Sequence, residues 1–321
     1  METNLIESIL EKETGLSGVV GKLSNIQPAS FQSLLLDVLE KRADQVWIGD
    51  INSSLKTNPY VKRCEIDQKS FLKFDLLAYD LLPNQYQSIE LSPLLPFSSN
   101  QLLADIDQKR IFSTTRNAEI VSDPTMALAL HLAQARSESL KQNPKSVENV
   151  AMATSHRIIR QEKPKKSWYT THFRNFTVWV TWRDTGFESF EKKYLEEHLT
   201  FFLRLIKKLN ETREYNINHP VITLLNANKN KKESFEFIAQ YLIEKLSVIN
   251  PDLTISECSE RNSNYYSSLW YSICAENKSG QIVNIAWWGF TDWTQKLLWS
   301  TKERLLVGSI GSEILAKLFT S

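Results

Sequence analysis

The chain has 321 residues, of which 42% are hydrophobic and 23% are charged, and its formal net charge is +1. This length and composition predict a globular protein with a sizeable core. The near-neutral charge argues against a generally basic protein that binds nucleic acid or membranes. The three cysteines are scattered and have neither C-x-x-C spacing nor paired histidines beside them, which argues against a disulfide framework and a structural zinc site.

The N-terminal sequence METNLIESILEKETG is acidic and lacks the apolar core of a signal peptide. No run of about 18 apolar residues, the length that a membrane helix needs, occurs in the chain. We therefore expect a cytoplasmic protein with no membrane partner.

Two parts are predicted along the chain: a helical segment over residues 1–45 and a core domain over residues 46–321. The apolar runs VWIGDI, SFLKFDLLAYDLL and QSIELSPLL, between residues 46 and 120, are interpreted as strands and loops. AEIVS is a further short strand. Asp123 and Pro124 then suit the start of a helix over about 124–141. His131 lies in this helix, where a packed side chain is the favoured reading over a ligand.

The second half of the chain predicts a mixed α/β (α+β) fold, with an antiparallel sheet flanked by helices. An apolar stripe marks a long helix over Ser189–Leu209. VITLLN, a helix and LTISEC follow in β-α-β order, which favours parallel neighbouring strands. SLWYSICA and QIVNIAWW are joined by a turn at residues 276–280, and LLVGSIGSEILAKLF leads into a C-terminal helix.

Between these halves, residues 160–182 read as two strands joined by a basic loop. Alternation along the strands allows one register that collects five side chains on a single face: Arg160, Glu162, His172, Arg174 and Phe176. Arginine binds phosphate oxygens bidentately, a protonated histidine or second arginine can hold another phosphate, and a phenylalanine ring can stack on a base. This set predicts a nucleotide site, whereas the alternative is a surface hairpin with solvated charges.

Arg160-x-Glu162, a loop, and His172-x-x-x-Phe176 together resemble motif 2 of the class II aminoacyl-tRNA synthetases. The preceding SDPTMALALHLAQA and the following amphipathic helix extend the resemblance over roughly residues 70–321. The segment NIAWWGFTDWTQKLL is similar to the seryl- and threonyl-type strand that leads into an Asp-x-x-Gln segment, here Asp292 and Gln295.

The resemblance implies a class II synthetase-like core that uses ATP and Mg²⁺ and forms a homodimer. It assigns the α-phosphate and the substrate carboxylate to Arg160, the γ-phosphate to His172 and adenine to Phe176. Glu162 would contact adenine or orient the loop, and Arg174 would add a nucleotide contact. Catalysis in such a site rests on positioning and on stabilising phosphate charge.

The sequence departs from the family at Gly308–Glu313, where the arginine that ends motif 3 is missing. Arg304 is the candidate substitute, and an anticodon-binding domain is not recognisable. Three functions follow: activation of an amino acid or small carboxylate as an adenylate, passed to a carrier, RNA or protein acceptor; a non-catalytic regulatory or ligand-sensing subunit that binds a partner protein; or an interaction domain whose hairpin merely resembles motif 2.

Overall fold

The computed structural model describes residues 2–161, 169–249, 254–258 and 265–320. The helices are α1 (Glu2–Thr14), α2 (Val19–Ser24), α3 (Pro28–Ala43), α4 (Ile48–Thr57), α5 (Gln68–Leu81), α6 (Ser99–Ala104), α7 (Pro124–Gln142), α8 (Ser189–Glu211), α9 (Lys232–Ile249), α10 (Trp293–Leu298) and α11 (Ser312–Leu318). The strands are β1 (Tyr86–Ser88), β2 (Leu94–Pro96), β3 (Ala118–Ile120), β4 (Val150–Ile159), β5 (His172–Arg183), β6 (Asn218–Asn226), β7 (Thr254–Cys258), β8 (Leu269–Glu276), β9 (Ile282–Thr291) and β10 (Glu303–Ile310).

One eight-stranded sheet organises the fold, in the order β1-β4-β5-β10-β9-β8-β6-β7. Its central strands are antiparallel, while β1 pairs with β4 and β6 with β7 in parallel. The predicted antiparallel sheet flanked by helices is therefore confirmed, as is the parallel pairing across the β6-α9-β7 unit. The β8–β9 hairpin also forms as predicted, and Gly280 adopts the positive φ that its turn requires.

Helices cover both faces of the sheet, and each face has its own hydrophobic core. The larger core contains residues of α5, α8 and α9, among them Phe74, Phe202 and Leu242. The smaller core places α7 and α10 on the opposite face, with Leu128 and Trp293 packed among residues of the central strands. The predicted helix starts at Asp123 and Ser189 are both observed, and the Asp123 side chain accepts a hydrogen bond from Thr125 N at 3.0 Å.

Two predicted strands are wrong. VWIGDI and SFLKFDLLAYDLL lie largely in the helices α4 and α5. In α5 the buried residues Phe71, Phe74 and Ala78 are three or four positions apart, which is the helical period. Helical structure in the N-terminal segment thus continues to Thr57, beyond the predicted end at residue 45.

The helices α1–α4 pack little against the rest of the chain. None of the described side chains in these four helices is buried. Contacts with the core begin just after them, where Thr171 Oγ1 donates to Pro59 O at 2.9 Å and the Tyr60 hydroxyl donates to Gln161 O at 2.7 Å. Across the part of the chain that the structure describes, no helix combines the length and apolar character that a membrane crossing needs.

Candidate ligand-binding site

A cavity of about 430 Å³ opens on the α7 side of the sheet. Its walls come from the start of α7, the end of β4, the strands β5 and β10, the helix α11 and the aromatic pair Tyr265 and Tyr266. The cavity is lined by side chains of both charges, the cations Arg160 and Lys317 and the carboxylates Asp123 and Glu313, together with several aromatic rings.

Arg160 is fixed at the cavity by three contacts. Its Nη2 donates to Asp123 Oδ2 at 3.3 Å, and its Nε donates to Ser122 O at 3.4 Å. The guanidinium also lies over the Phe173 ring, 5.2 Å from the centroid, in a cation–π contact. About half of the Arg160 side chain stays exposed, so its remaining N–H groups can reach a ligand.

Asp123 connects this arginine to the aromatic wall. The carboxylate caps α7 and also accepts from the Thr125 hydroxyl at 2.6 Å, which in turn lies 2.5 Å from the Tyr265 hydroxyl. Burial, followed by the charge of Asp123, raises the pKa of Tyr265 well above its ordinary value, so this phenol stays protonated near neutral pH. Tyr265 packs edge-on against Tyr266 and Trp293, which fixes the wall.

Glu313 occupies the first turn of α11, at the segment where the sequence departs from motif 3. Its carboxylate pairs with Arg157 Nη1 at 2.9 Å and accepts from the Arg174 backbone N–H at 3.2 Å. Ile314 follows it on the cavity wall, and Lys317 lies one turn later. The helix therefore presents a carboxylate and an aliphatic side chain where motif 3 of the resembled family ends in an arginine, and the cation that it contributes to the cavity lining is Lys317.

The cavity also carries a buried hydroxyl group that has no hydrogen-bond partner among the described residues. Asn175 and Ser309 line the cavity from β5 and β10. The Ser309 hydroxyl is buried, yet no hydrogen-bond partner for it occurs among the described residues. Buried polar groups are usually satisfied, so this hydroxyl is suited to a polar group of a ligand.

The register of β4 with β5 overturns the predicted common face. Arg160 N donates to Thr171 O at 2.7 Å, and the ladder before it pairs Ile159 with His172. Since side chains alternate along a strand, Arg160 shares its face with Phe173. His172, Arg174 and Phe176 project from the opposite face, and the prediction that they join Arg160 is wrong.

Each of these three residues has protein partners on that opposite face. Phe176 is fully buried and packs against the rings of Phe74, Tyr79 and Phe201. Arg174 donates to Asp75 at 2.9 Å and to Ser155 at 2.8 Å.

His172 lies 3.0 Å from Arg157 Nη1 and 2.5 Å from Lys62 O through its two ring nitrogens. Of the residues predicted to bind nucleotide, Arg160 is the one that the described structure places at the cavity. Glu162 falls outside the described residues.

The three candidates from the C-terminal region do not line the cavity. Arg304 lies at the start of β10 and pairs with Asp184 at 2.5 Å and with Glu191 at 3.4 Å. Gln295 donates to the backbone of Glu303 at 2.9 Å. Asp292 pairs with Lys296 at 3.0 Å.

Arg304 therefore holds the β5–α8 connection rather than replacing the motif 3 arginine. Its carboxylate partners, Asp184 and Glu191, hold it at the start of β10, where it does not supply the positive charge of the missing arginine.

The cavity residues that were missed as site residues include Asp123, Phe173, Tyr265 and Glu313. Asp123 was recognisable as a helix cap, and its second role depends on the tertiary approach of Arg160. Phe173 is one position from His172, so the alternative register of β5 places this ring on the same face as Arg160. The aromatic residue was thus visible in the sequence, but the pairing of β4 with β5 that places it beside Arg160 was not.

Comparison with solved structures identifies the fold. Apo histidyl-tRNA synthetase from S. aureus matches with a TM-score of 0.54 and 11% identity, over 78% of this chain and 67% of that one. A protein from Bacillus halodurans C, described as an ATP phosphoribosyltransferase regulatory subunit/histidyl-tRNA synthetase, matches with a TM-score of 0.58 and 11% identity, over 82% and 83%. The RNA binding domain of threonyl-tRNA synthetase from Cryptosporidium parvum Iowa II matches with a TM-score of 0.55 and 8% identity, over 78% and 62%.

No sequence-family model matches the chain, and no curated protein matches its sequence. The structural matches nevertheless agree on one architecture. The chain has the fold of the class II aminoacyl-tRNA synthetase catalytic core, as the motif 2 resemblance implied.

Proposed function

We propose that the chain binds a small zwitterionic carboxylic acid, of the amino-acid class, in the cavity beside Arg160 and does not convert it to an adenylate. It would act as a ligand-sensing relative of the synthetase core. The observation that carries this proposal is the charge pattern of the cavity: two cations and two carboxylates line it, and Glu313 lies in the segment that lacks the motif 3 arginine.

This charge pattern matches an amino acid better than a nucleoside triphosphate. An amino acid carries one ammonium group, which the carboxylates of Asp123 and Glu313 can bind. It also carries one carboxylate, which Arg160 and Lys317 can bind. The phosphates of ATP would bring several negative charges into a cavity that already contains two carboxylates, and like charges at close range are unfavourable. The aromatic wall leaves room for an apolar side chain of the ligand.

In a regulatory role, ligand binding in the cavity would change how the chain binds a partner protein. One structural neighbour is described as a regulatory subunit of ATP phosphoribosyltransferase, which supports the idea that this fold can serve a partner protein. In this chain, ligand binding at Arg160 would alter the contacts of Asp123 at the start of α7, because the two side chains are already hydrogen-bonded. A partner that binds near α7 would then respond to the ligand.

Adenylate formation is the second candidate, and the position of Arg160 favours it. This arginine is retained at the cavity with an aromatic ring, Phe173, beside it. In that reaction a carboxylate oxygen attacks the α-phosphorus of ATP and pyrophosphate leaves, with Mg²⁺ held by the phosphates. Arg160 would stabilise charge on the α-phosphate, and Lys317 would be the nearest cation for the leaving group.

Calorimetric titration with the standard amino acids separates these functions, with each titration repeated in the presence of ATP and Mg²⁺. We expect one chemical class of amino acid to bind without ATP and no amino-acid-dependent exchange between ATP and pyrophosphate. Arg160→Ala should weaken binding about tenfold or more, since it removes a charged hydrogen-bond donor. Asp123→Asn should also weaken it while preserving the α7 cap, because asparagine caps helices as well as aspartate.

Lys296→Ala is the matched control, since Lys296 is an exposed, ion-paired lysine that does not line the cavity. Its titrations should match those of the unmodified chain. Amino-acid-dependent pyrophosphate exchange that disappears in Arg160→Ala would instead establish adenylate formation. If no amino acid binds, with or without ATP, both functions are refuted.

A further inference from the structure

A second concave surface lies on the other side of the molecule, along the outer face of α8. It is a groove of about 660 Å³ between the end of α5, the helix α9 and the turn that precedes α8. Three basic side chains line it, Lys192, Lys193 and Arg204, together with the carboxylates of Glu196 and Glu197.

The carboxylates of this groove already have donors from their own chain. Glu196 accepts from the Tyr241 hydroxyl at 2.5 Å. Glu197 accepts from Gln85 Nε2 and from the Tyr86 hydroxyl, each at 2.7 Å. These hydrogen bonds turn the acidic groups toward the body of the protein and reduce their capacity to neutralise a neighbouring lysine or arginine.

The basic side chains, in contrast, have no carboxylate partner in the described part of the chain. Lys192 lies over the ring of Phe237, and Lys193 lies over the ring of Trp182. Among the residues that the structure describes, neither lysine nor Arg204 forms an ion pair. The groove thus offers positive charge to an acidic occupant.

One end of the groove displays an aromatic side chain in a strained backbone position. Phe187 is 93% exposed and has a φ of 57°, in the left-handed region that bulky residues rarely adopt. It follows Gly186 and precedes Glu188, which also have positive φ values. Such a turn holds an apolar ring out into solvent, where an apolar partner surface could cover it.

The helix α1 has the complementary properties. Its sequence, ETNLIESILEKET, contains four glutamates and one lysine. Leu5, Ile6 and Ile9 are exposed, at three- and four-residue spacing along one side of the helix. An isolated helix of this length is marginal in water, so this exposed apolar side is suited to burial against another surface.

The spacing of charge also agrees between the two elements. Glu2 and Glu13 are eleven positions apart on α1, and Lys193 and Arg204 are eleven positions apart on α8. Each interval is a rise of about 16 Å along a helix axis and close to three whole turns. We propose that α1 of a second copy of this chain docks in the α8 groove, with its apolar side covered by the groove and its acidic ends near the basic side chains.

When each copy docks its helix in the groove of the other, both grooves are filled and a closed two-fold dimer results. Binding of an amphipathic helix in an apolar, charged groove is an established mode of recognition. The proposal is independent of the ligand in the cavity, since α1 and the α8 groove share no residue with it.

Sedimentation velocity of the full chain over a concentration series tests this interface. We expect a dimer whose dissociation constant rises about tenfold or more when the double variant Lys193→Glu, Arg204→Glu reverses the charge of two groove side chains. Lys207→Glu is the matched control, because Lys207 is exposed on the same helix but does not line the groove. This control should leave the dissociation constant nearly unchanged.

Charge exchange then identifies the occupant. The double variant Glu2→Lys, Glu13→Lys should also weaken the dimer, and a chain carrying both pairs of reversals should recover it. A monomeric unmodified chain, a dimer that responds equally to Lys207→Glu and to the groove variant, or failure of the combined variant to recover would each overturn the proposal. The first of these results would include docking of α1 within its own chain.

Discussion

Replacement of Glu303 by glutamine tests how α7 is held against the sheet. The Glu303 carboxylate, on β10, pairs with Arg136 of α7 through Nε–Oε2 at 2.8 Å and Nη2–Oε1 at 3.3 Å. Both side chains have an exposed fraction of 0%. Arg136 also donates to the backbone oxygens of Ser146 at 2.6 Å and Glu148 at 3.0 Å, so this arginine ties the helix, the following loop and the sheet together.

Glutamine keeps the shape of Glu303 but removes its charge, and Arg136 then remains as an uncompensated cation in the interior. Removal of one partner from a buried ion pair costs about 3–5 kcal/mol of unfolding free energy. Arg183, whose Nη1 lies 3.9 Å from Glu303, is itself a cation, so it cannot compensate the charge left on Arg136. We therefore expect the free energy of unfolding to fall by an amount within that range, rather than by the smaller amount that a surface ion pair contributes.

Urea unfolding monitored by tryptophan fluorescence measures this loss as a shift in midpoint at constant slope. The double variant Arg136→Met, Glu303→Leu removes both charges and should recover much of the stability, since no uncompensated charge remains. Lys208→Ala breaks the exposed Lys208–Glu211 pair and should cost less than about 1 kcal/mol. If Glu303→Gln costs no more than Lys208→Ala, the reasoning about the buried pair is refuted.

Two further predictions concern residues that pack against the larger hydrophobic core, which contains Trp288 and Tyr86. Gly308→Ala should lower stability by about 1–3 kcal/mol, because a Cβ at Gly308 would lie 1.5 Å from Trp288 Nε1, and the same unfolding assay with Ser309→Ala as the neighbouring control checks it. Burial lowers the pKa of His198 from its ordinary value of 6.5 to about 3. Its folded state therefore stays neutral while the unfolded state binds a proton, so stability should fall as pH decreases from 6.5 toward 3. His198→Phe should flatten that part of the pH profile, and an unchanged slope would contradict this assignment.

Much of the architecture was predictable because local patterns and tertiary structure agree. The stripe over Ser189–Leu209 becomes the long helix α8, and the turn at 276–280 becomes the β8–β9 connection. The segment SFLKFDLLAYDLL was wrongly predicted to be a strand, because its apolar residues are as dense as those of a buried strand. Its buried positions Phe71, Phe74 and Ala78 carried the helical period that the density obscured.

The candidate site was less predictable, because it depends on strand register and on contacts across long sequence separations. A shift of one residue between β4 and β5 exchanges every side chain between the two faces of the sheet. The resemblance to motif 2 assigned the aromatic contact of the site to Phe176. The pairing of Arg160 with Thr171 instead places the ring of Phe173 beside the arginine. Both positions are aromatic, so composition alone could not distinguish the buried ring from the ring at the cavity.

Glu313 connects the architecture of the chain to its proposed function. Its carboxylate is held by Arg157 and by the Arg174 backbone, so α11 is fastened to β4 and β5 through this side chain. Two arginines near motif 2 are thereby used for internal structure: Arg157 pairs with Glu313, and Arg174 pairs with Asp75. Cations that could meet phosphates are neutralised within the fold, and Arg160 remains partly exposed beside Asp123. This balance of charges is the basis of our proposal that the chain recognises a ligand that carries both charges and does not adenylate it.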